Sequence, residues 1–302
     1  MTQRSVLIDR LRDIPFAKMT GSGNDFVFFD GRQVDRALVT TPEVIAAICD
    51  RHNGIGADGV VVLEPLNGAP ATATGTQGAS AAVASDGLQA RIHYFNSDGT
   101  PADLCGNATL CATVMSVELG LAQAVGLGLD TPSGRIASRI ADGLPEIQLQ
   151  PVTRIEANSS IDLEAGEQRV GFAVAGIPHL VILCENADAI DVARRGPPLR
   201  WHPATGPAGA NVNWVSPRAD GTWRYRTFER GVEGETLACG TGAVATAALL
   251  STWHLANEPV TIRTSSGRDL TVRLRPDGDQ WIPTLRGEGR IVFRGQIGDL
   301  RP

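Results

Sequence analysis

Two stretches of this chain carry the same landmarks in the same order, and that internal repeat limits the fold more than any other feature. Leu104-Cys105-Gly106-Asn107-Ala108 opens one helical stretch and Ala238-Cys239-Gly240-Thr241-Gly242 opens another. Thr131-Pro132-Ser133-Gly134-Arg135 follows the first, and Thr264-Ser265-Ser266-Gly267-Arg268 follows the second. Upstream, Tyr94-Phe95-Asn96 stands to Cys105 as Thr227-Phe228-Glu229 stands to Cys239. Three landmarks repeating at about 134 positions imply two similar halves, each with a strand, a Cys-Gly turn, a helix and a hairpin turn. The expected fold class is α/β (α+β), with one half over residues 1–150, completed by 288–302, and the other over 151–287.

Composition removes several alternatives. The 302 residues are enough for two ordinary domains, and a 42% hydrophobic content fills their cores. With 27 Lys+Arg against 33 Asp+Glu, the formal charge of −6 offers no basic field to a nucleic acid or an anionic membrane. The longest apolar run, around 243–250, falls well short of the roughly 18 residues of a membrane span. Arg4, Asp9, Arg10, Arg12 and Asp13 stand where a signal peptide would be apolar. A soluble, cytoplasmic chain with neither nucleic-acid nor membrane partner is expected. Its five cysteines are odd in number and lack a C-x-x-C pair, which argues against a disulfide scaffold and a zinc cage and points to thiol chemistry.

Short β-branched runs bounded by turn formers predict strands at 60–63, 147–149, 181–183, 212–215 and 291–293. Helices are expected at 42–50, with Thr41 as N-cap, and after each of Cys105 and Cys239. The small-residue segment 66–87 reads as a mobile surface loop, and residues 1–13 as an appendage ahead of the first core strand.

A duplicated fold whose halves face each other would bring Cys105 and Cys239 together across a cleft. Each heads a helix and precedes a glycine, where free N–H groups and the positive end of the dipole favour a carboxylate and reduce a thiol's affinity for its proton. A thiolate on one side and a thiol on the other could exchange a proton at a tetrahedral carbon, as a two-base racemase requires. A redox pair is the competing reading. Cys49, Cys111 and Cys184 lie on apolar patterns and read as packing.

Gly21-Ser22-Gly23-Asn24-Asp25-Phe26, Arg51-His52-Asn53-Gly54-Ile55-Gly56-Ala57-Asp58-Gly59, Phe95-Asn96-Ser97-Asp98-Gly99, Cys105-Gly106-Asn107, Gly176-Ile177-Pro178-His179, Glu229-Arg230-Gly231 and Ala238-Cys239-Gly240-Thr241-Gly242 occur in one order. From about Phe16 onward the chain thereby resembles the diaminopimelate epimerase family. The resemblance implies two halves, each a mixed sheet wrapped around a central helix, and a cofactor-free isomerase that uses neither metal nor pyridoxal phosphate. Its partner would be a small amino-acid substrate, and a homodimer is expected by analogy. The implied reaction converts LL- to meso-diaminopimelate in lysine and cell-wall biosynthesis.

By the same resemblance, Cys105 and Cys239 are the acid/base pair, assisted by His179 and Glu229. The N–H groups of Gly106, Asn107, Gly240 and Thr241 form the carboxylate cradle. Asn24, Asn96 and Asn211 are substrate-binding amides, and Arg230 pairs with the distal carboxylate. Without the resemblance, the asparagines read as turn formers and Glu229-Arg230 as a surface ion pair. Three positions depart from the family pattern: Ile177 replaces Asn, Gly59 replaces Gln, and Ala108-Thr109-Leu110 replaces Gly-x-Arg. They leave open a racemase of another amino acid, such as histidine, and, in a different class, an amino-acid-binding or thiol-redox protein without catalysis.

Overall fold

The computed structural model describes residues 9–66, 87–102 and 105–300. The predicted loop at 66–87 and residues 1–8 of the predicted appendage lie largely or wholly outside that range. The chain divides into two compact units, one drawn from Met1–Ile147 and Glu288–Pro302, the other from Gln148–Gly287.

The first unit contains β1 (Pro15–Gly21), β2 (Asn24–Asp30), α1 (Arg36–Val39), α2 (Pro42–Cys49), β3 (Gly59–Pro65), β4 (Ala90–Asn96), α3 (Gly106–Glu118), β5 (Leu127–Thr131), β6 (Gly134–Ala141) and β7 (Leu144–Gln148). The second runs through β8 (Val152–Glu156), β9 (Glu167–Ala175), β10 (Ile177–Cys184), α4 (Val192–Arg200), β11 (Asn211–Pro217), β12 (Trp223–Glu229), β13 (Gly234–Thr236), α5 (Gly240–Thr252), β14 (Val260–Arg263), β15 (Asp269–Asp277) and β16 (Gln280–Arg286). The chain then returns to the first unit with β17 (Arg290–Gln296), which pairs antiparallel with β1.

Strand pairing makes the repeat explicit. From β1 to β7 the successive neighbours pair antiparallel, parallel, antiparallel, parallel, antiparallel and antiparallel. The series β9, β10, β11, β12, β14, β15, β16 gives the same sequence of senses. In the second unit β8 adds to β9 and meets β16 at Val152–Trp281, so the sheet closes on itself. The register then assigns equivalents: Asn24 with Ile177, Gly59 with Asn211, Val61 with Asn213, Ile92 with Tyr225, Tyr94 with Thr227, and Asn96 with Glu229.

Each sheet wraps a helix, and the composition of those helices shows why. α5 is apolar around its whole circumference, with residues 242–250 buried, so it is stable only when enclosed. It packs against β8, β9, β10, β11, β15 and β16. α3 packs against β1, β2, β3, β4, β6 and β17 and is more polar. Its buried hydroxyls turn back on the helix, with Thr109, Thr113 and Ser116 donating to carbonyls four residues earlier at 2.8–2.9 Å. The outer faces bury separate clusters: Val27, Phe29, Val60 and Val62 under α1 and α2, and Val212, Trp214 and Phe228 under α4.

The T-x-S-G-R segments are hairpin turns as expected. Gly134 and Gly267 take φ of 102° and 76°, while Thr131 and Thr264 close the loops through their hydroxyls. Thr41 is the N-cap residue of α2 as expected, although its hydroxyl donates to Leu38 O at 2.6 Å and makes no cap bond. One local reading changes. Residues 9–13 are not an appendage: Leu11 is fully buried, and Asp13 N donates to Ile297 O at 2.8 Å. Leu11 fills the first unit's core beside Ile297 and Leu300, an arrangement that local pattern cannot reveal.

Candidate active site

Cys105 and Cys239 are the N-cap residues of α3 and α5, and both have φ −129° and ψ 112°. Each helix is 13 residues long, and neither thiol makes a capping bond. The first intrahelical bonds run from Thr109 N to Cys105 O and from Ala243 N to Cys239 O. The N–H groups of Gly106, Asn107, Gly240 and Thr241 therefore lie in the first turn, where an α-helix leaves its donors for external partners. A carboxylate suits such a terminus.

Around Cys239, Asn211 donates its amide to Sγ at 3.7 Å and accepts Arg230 N at 2.8 Å, so one buried side chain holds both. Thr241 Oγ1 lies 3.5 Å from Sγ. Glu229 is half-buried, bonded by the Thr236 hydroxyl; burial pushes its carboxyl above the ordinary range, against hydrogen bonds from Thr236 and Cys239. The Arg230 guanidinium has no ion pair among the described residues. His179 is fully buried, and burial, followed by the Arg230 charge, lowers its pKa to about 3.

In the first unit, Asn107 donates its amide to Asn24 Oδ1 at 2.6 Å, and Asn24 Nδ2 donates to Asp58 at 3.0 Å. Arg51 bonds both Asp58 and Asp25, and Lys18 pairs with Asp25 at 2.7 Å. Asn24 is thus locked to the start of α3 by a charged chain. Asn96 behaves as a turn residue, donating to Thr100 Oγ1 at 3.0 Å. Beside Cys105 lies a small cavity lined by Ile92, Tyr94, Ala108 and Thr131. No cluster of three His, Cys, Asp or Glu side chains suited to a metal occurs among the described residues, and no helix among them is long and apolar enough to cross a membrane.

Several residues at these sites are not evident from motifs. Asn213, Tyr225 and Thr227 form a buried network behind Cys239, with Tyr225 Oη 2.7 Å from Asn213 Oδ1 and 3.5 Å from Cys239 O. Strand alternation contains their signal, since Asn211 and Asn213, then Tyr225, Thr227 and Glu229, recur at a period of two on one face. Gly59 has a reason in Tyr94: a Cβ there would lie 2.7 Å from the Tyr94 ring and 2.5 Å from Phe95 O. Leu110 is fully buried. The remaining cysteines are core groups, with burial raising Cys49 and Cys184 to about 12 and Cys111 well upward.

The diaminopimelate epimerase family model matches residues 16–150 and 172–292. The chain belongs to that family. A diaminopimelate epimerase of Gemmatimonas aurantiaca (strain DSM 14586 / JCM 11422 / NBRC 100505 / T-27) is 62% identical, covering 94% of this chain and 99% of its own length. Among solved structures, a PhzF-family phenazine biosynthesis protein of Bacillus anthracis aligns with a TM-score of 0.67 at 16% identity, covering 94% of this chain and 98% of its own. A hydroxyproline epimerase of Agrobacterium vitis aligns at 0.61 and 17%, covering 95% and 93%. At such identities the likeness is one of fold, and it agrees with the mixed α/β architecture expected from the repeat.

Proposed function

We propose that this isomerase interconverts LL- and meso-diaminopimelate by a two-cysteine, cofactor-independent proton transfer. The observation that carries the reading is the matched pair of uncapped helix starts, each opened by a cysteine in the same backbone conformation, in a chain of this family. One thiolate removes the α-proton, the electron pair spreads into the α-carboxylate, and the other thiol returns a proton to the opposite face of the carbon. One proton leaves, one arrives, and no oxidation state changes.

The N–H groups of Gly106, Asn107, Gly240 and Thr241 receive the α-carboxylate as charge develops on it. Asn211 orients Cys239 and Arg230, while His179 and Glu229 assist the thiols. Asn24 and Asn96 contribute amides, and Arg230, without an ionic partner in its own unit, takes the distal carboxylate as a charge-assisted pair. We infer a cytoplasmic location, where thiols stay reduced, and a homodimer by analogy with the family.

The deciding experiment incubates the enzyme in deuterium oxide with LL-diaminopimelate, histidine, lysine and arginine in turn, reading α-proton exchange by NMR. Exchange with inversion of one centre of diaminopimelate is expected. Retention of its α-proton, or exchange confined to another amino acid, overturns the assignment.

A further inference from the structure

His179 and the residues behind it determine where the imidazole carries its proton. Its Nδ1 lies 3.3 Å from Asn213 Nδ2, while Nε2 is buried without a hydrogen-bond partner among the described residues. The orientation of the Asn213 amide is not free. Leu180 O, a carbonyl that can only accept, is 2.7 Å from Nδ2, and Tyr225 Oη and Thr227 Oγ1 donate to Oδ1 at 2.7 and 3.0 Å. One Nδ2 hydrogen goes to Leu180 and the other points at His179 Nδ1, which must present a lone pair to receive it. The ring proton is left on Nε2.

We propose that Asn213 is a positioning residue that holds His179 as the neutral Nε2–H tautomer, so that the ring offers the reaction a fixed hydrogen-bond donor and does not itself carry the proton between carbon and thiol. This role rests on the proposed epimerase function; the tautomer itself does not. Burial and the nearby Arg230 charge both oppose an imidazolium here. A buried N–H donor without a protein acceptor costs free energy unless something else accepts from it, and a substrate oxygen or a thiolate would do so. In the first unit Val61 and Phe26 occupy the positions equivalent to Asn213 and His179, so the device belongs to the second unit alone.

The test uses the full chain labelled with nitrogen-15 histidine, the His179 ring signals being assigned from a His179→Gln sample. Long-range proton–nitrogen correlation at neutral pH is expected to show protonated Nε2 and bare Nδ1. A Nδ1–H ring or an imidazolium overturns the proposal whether or not the enzyme epimerises diaminopimelate. Asn213→Asp keeps the shape but replaces the donor facing Nδ1 by an acceptor, and is expected to move the proton to Nδ1. With diaminopimelate, kcat for exchange should then fall about 100-fold with little change in KM. A moved proton with unchanged kcat overturns the positioning role. If this variant does not fold, Asn213→Ala, which withdraws the donor facing Nδ1, takes its place: a mixture of tautomers with lowered kcat and little change in KM is expected, and an unchanged Nε2–H ring or an unchanged kcat overturns the positioning role. If wild type shows Nε2–H yet exchanges no diaminopimelate proton, the function fails and the tautomer stands.

Discussion

Replacing Gly242 by alanine tests whether the polar network behind Cys239 is as tightly built as its distances imply. An added Cβ would lie 2.2 Å from Tyr225 Oη, 2.5 Å from Asn213 Oδ1 and 3.3 Å from Cys239 Sγ. The first two are impossible contacts between two buried groups, so the phenol and the amide must part by about 1 Å to reach ordinary van der Waals separation. That opens the 2.7 Å Tyr225–Asn213 bond and takes the buried phenol hydrogen from its acceptor, while Asn213 Oδ1 keeps Thr227, costing about 1–3 kcal/mol. Off-rotamer strain adds about 0.5–1.5 kcal/mol. Against this, alanine within a helix gains about 1 kcal/mol over glycine. The balance is a destabilisation of about 0.5–3.5 kcal/mol, although propensity alone predicts the opposite sign. Displacing groups around Cys239 should also slow α-proton exchange by about 10- to 100-fold. Denaturant unfolding and exchange in deuterium oxide read the two effects. A variant that is more stable than wild type and exchanges at the wild-type rate refutes the reasoning.

Cys105→Ala and Cys239→Ala should each lower exchange with inversion by at least about 1,000-fold, whereas Cys111→Ala, which empties only core space, should retain activity and cost about 1–2 kcal/mol by denaturant unfolding. Ile177→Asn places in the second unit the amide that Asn24 supplies in the first, and competition assays should show selectivity moving towards diaminopimelate by about 10-fold. Asp25 is held below its ordinary value: burial raises its pKa, but Arg51 and Lys18 outweigh it. A depressed carboxylate contributes stability above its unfolded pKa and loses it as pH falls through the folded one. Asp25→Asn should therefore destabilise by about 3 kcal/mol at pH 7, with the gap from wild type narrowing below pH 3.8 in chemical unfolding.

The repeat was readable because each landmark does a local job. Cys-Gly starts a helix, and Thr-x-Ser-Gly-Arg closes a hairpin through a glycine at positive φ, so both recur wherever the same unit is built. Asn213 and Tyr225 were harder to see, because in 212–215 Val212 and Trp214 on the opposite face dominate the pattern, and in 223–229 Tyr225 follows Trp223 on one face and reads as its apolar companion. Their meaning depends on an enclosed helix pressing on one face of the sheet, which is a tertiary fact. Gly59 was legible as a departure but not as the complement of Tyr94, 35 positions away along the chain. Leu11 gave no signal, since one leucine among charged residues is buried by joining a core assembled from distant segments, Ile297 and Leu300 among them.

The repeat preserves the helix start but not the material beneath it. Under Cys239 the strands supply Asn213 and Tyr225, and α5 supplies Gly242 to admit them; under Cys105 the equivalent residues are Val61, Ile92 and Ala108, with a cavity beside them. The second thiol lies over a network of hydrogen-bonded side chains, and the first over apolar ones, with Tyr94 as its hydrogen-bond partner. Two copies of one design thus seat their thiols differently. A racemase linking mirror images would profit from matched halves, because its forward and reverse journeys are reflections of each other. LL- and meso-diaminopimelate are not reflections, so the two directions can use thiols with different seats, and their hydrogen isotope effects need not agree.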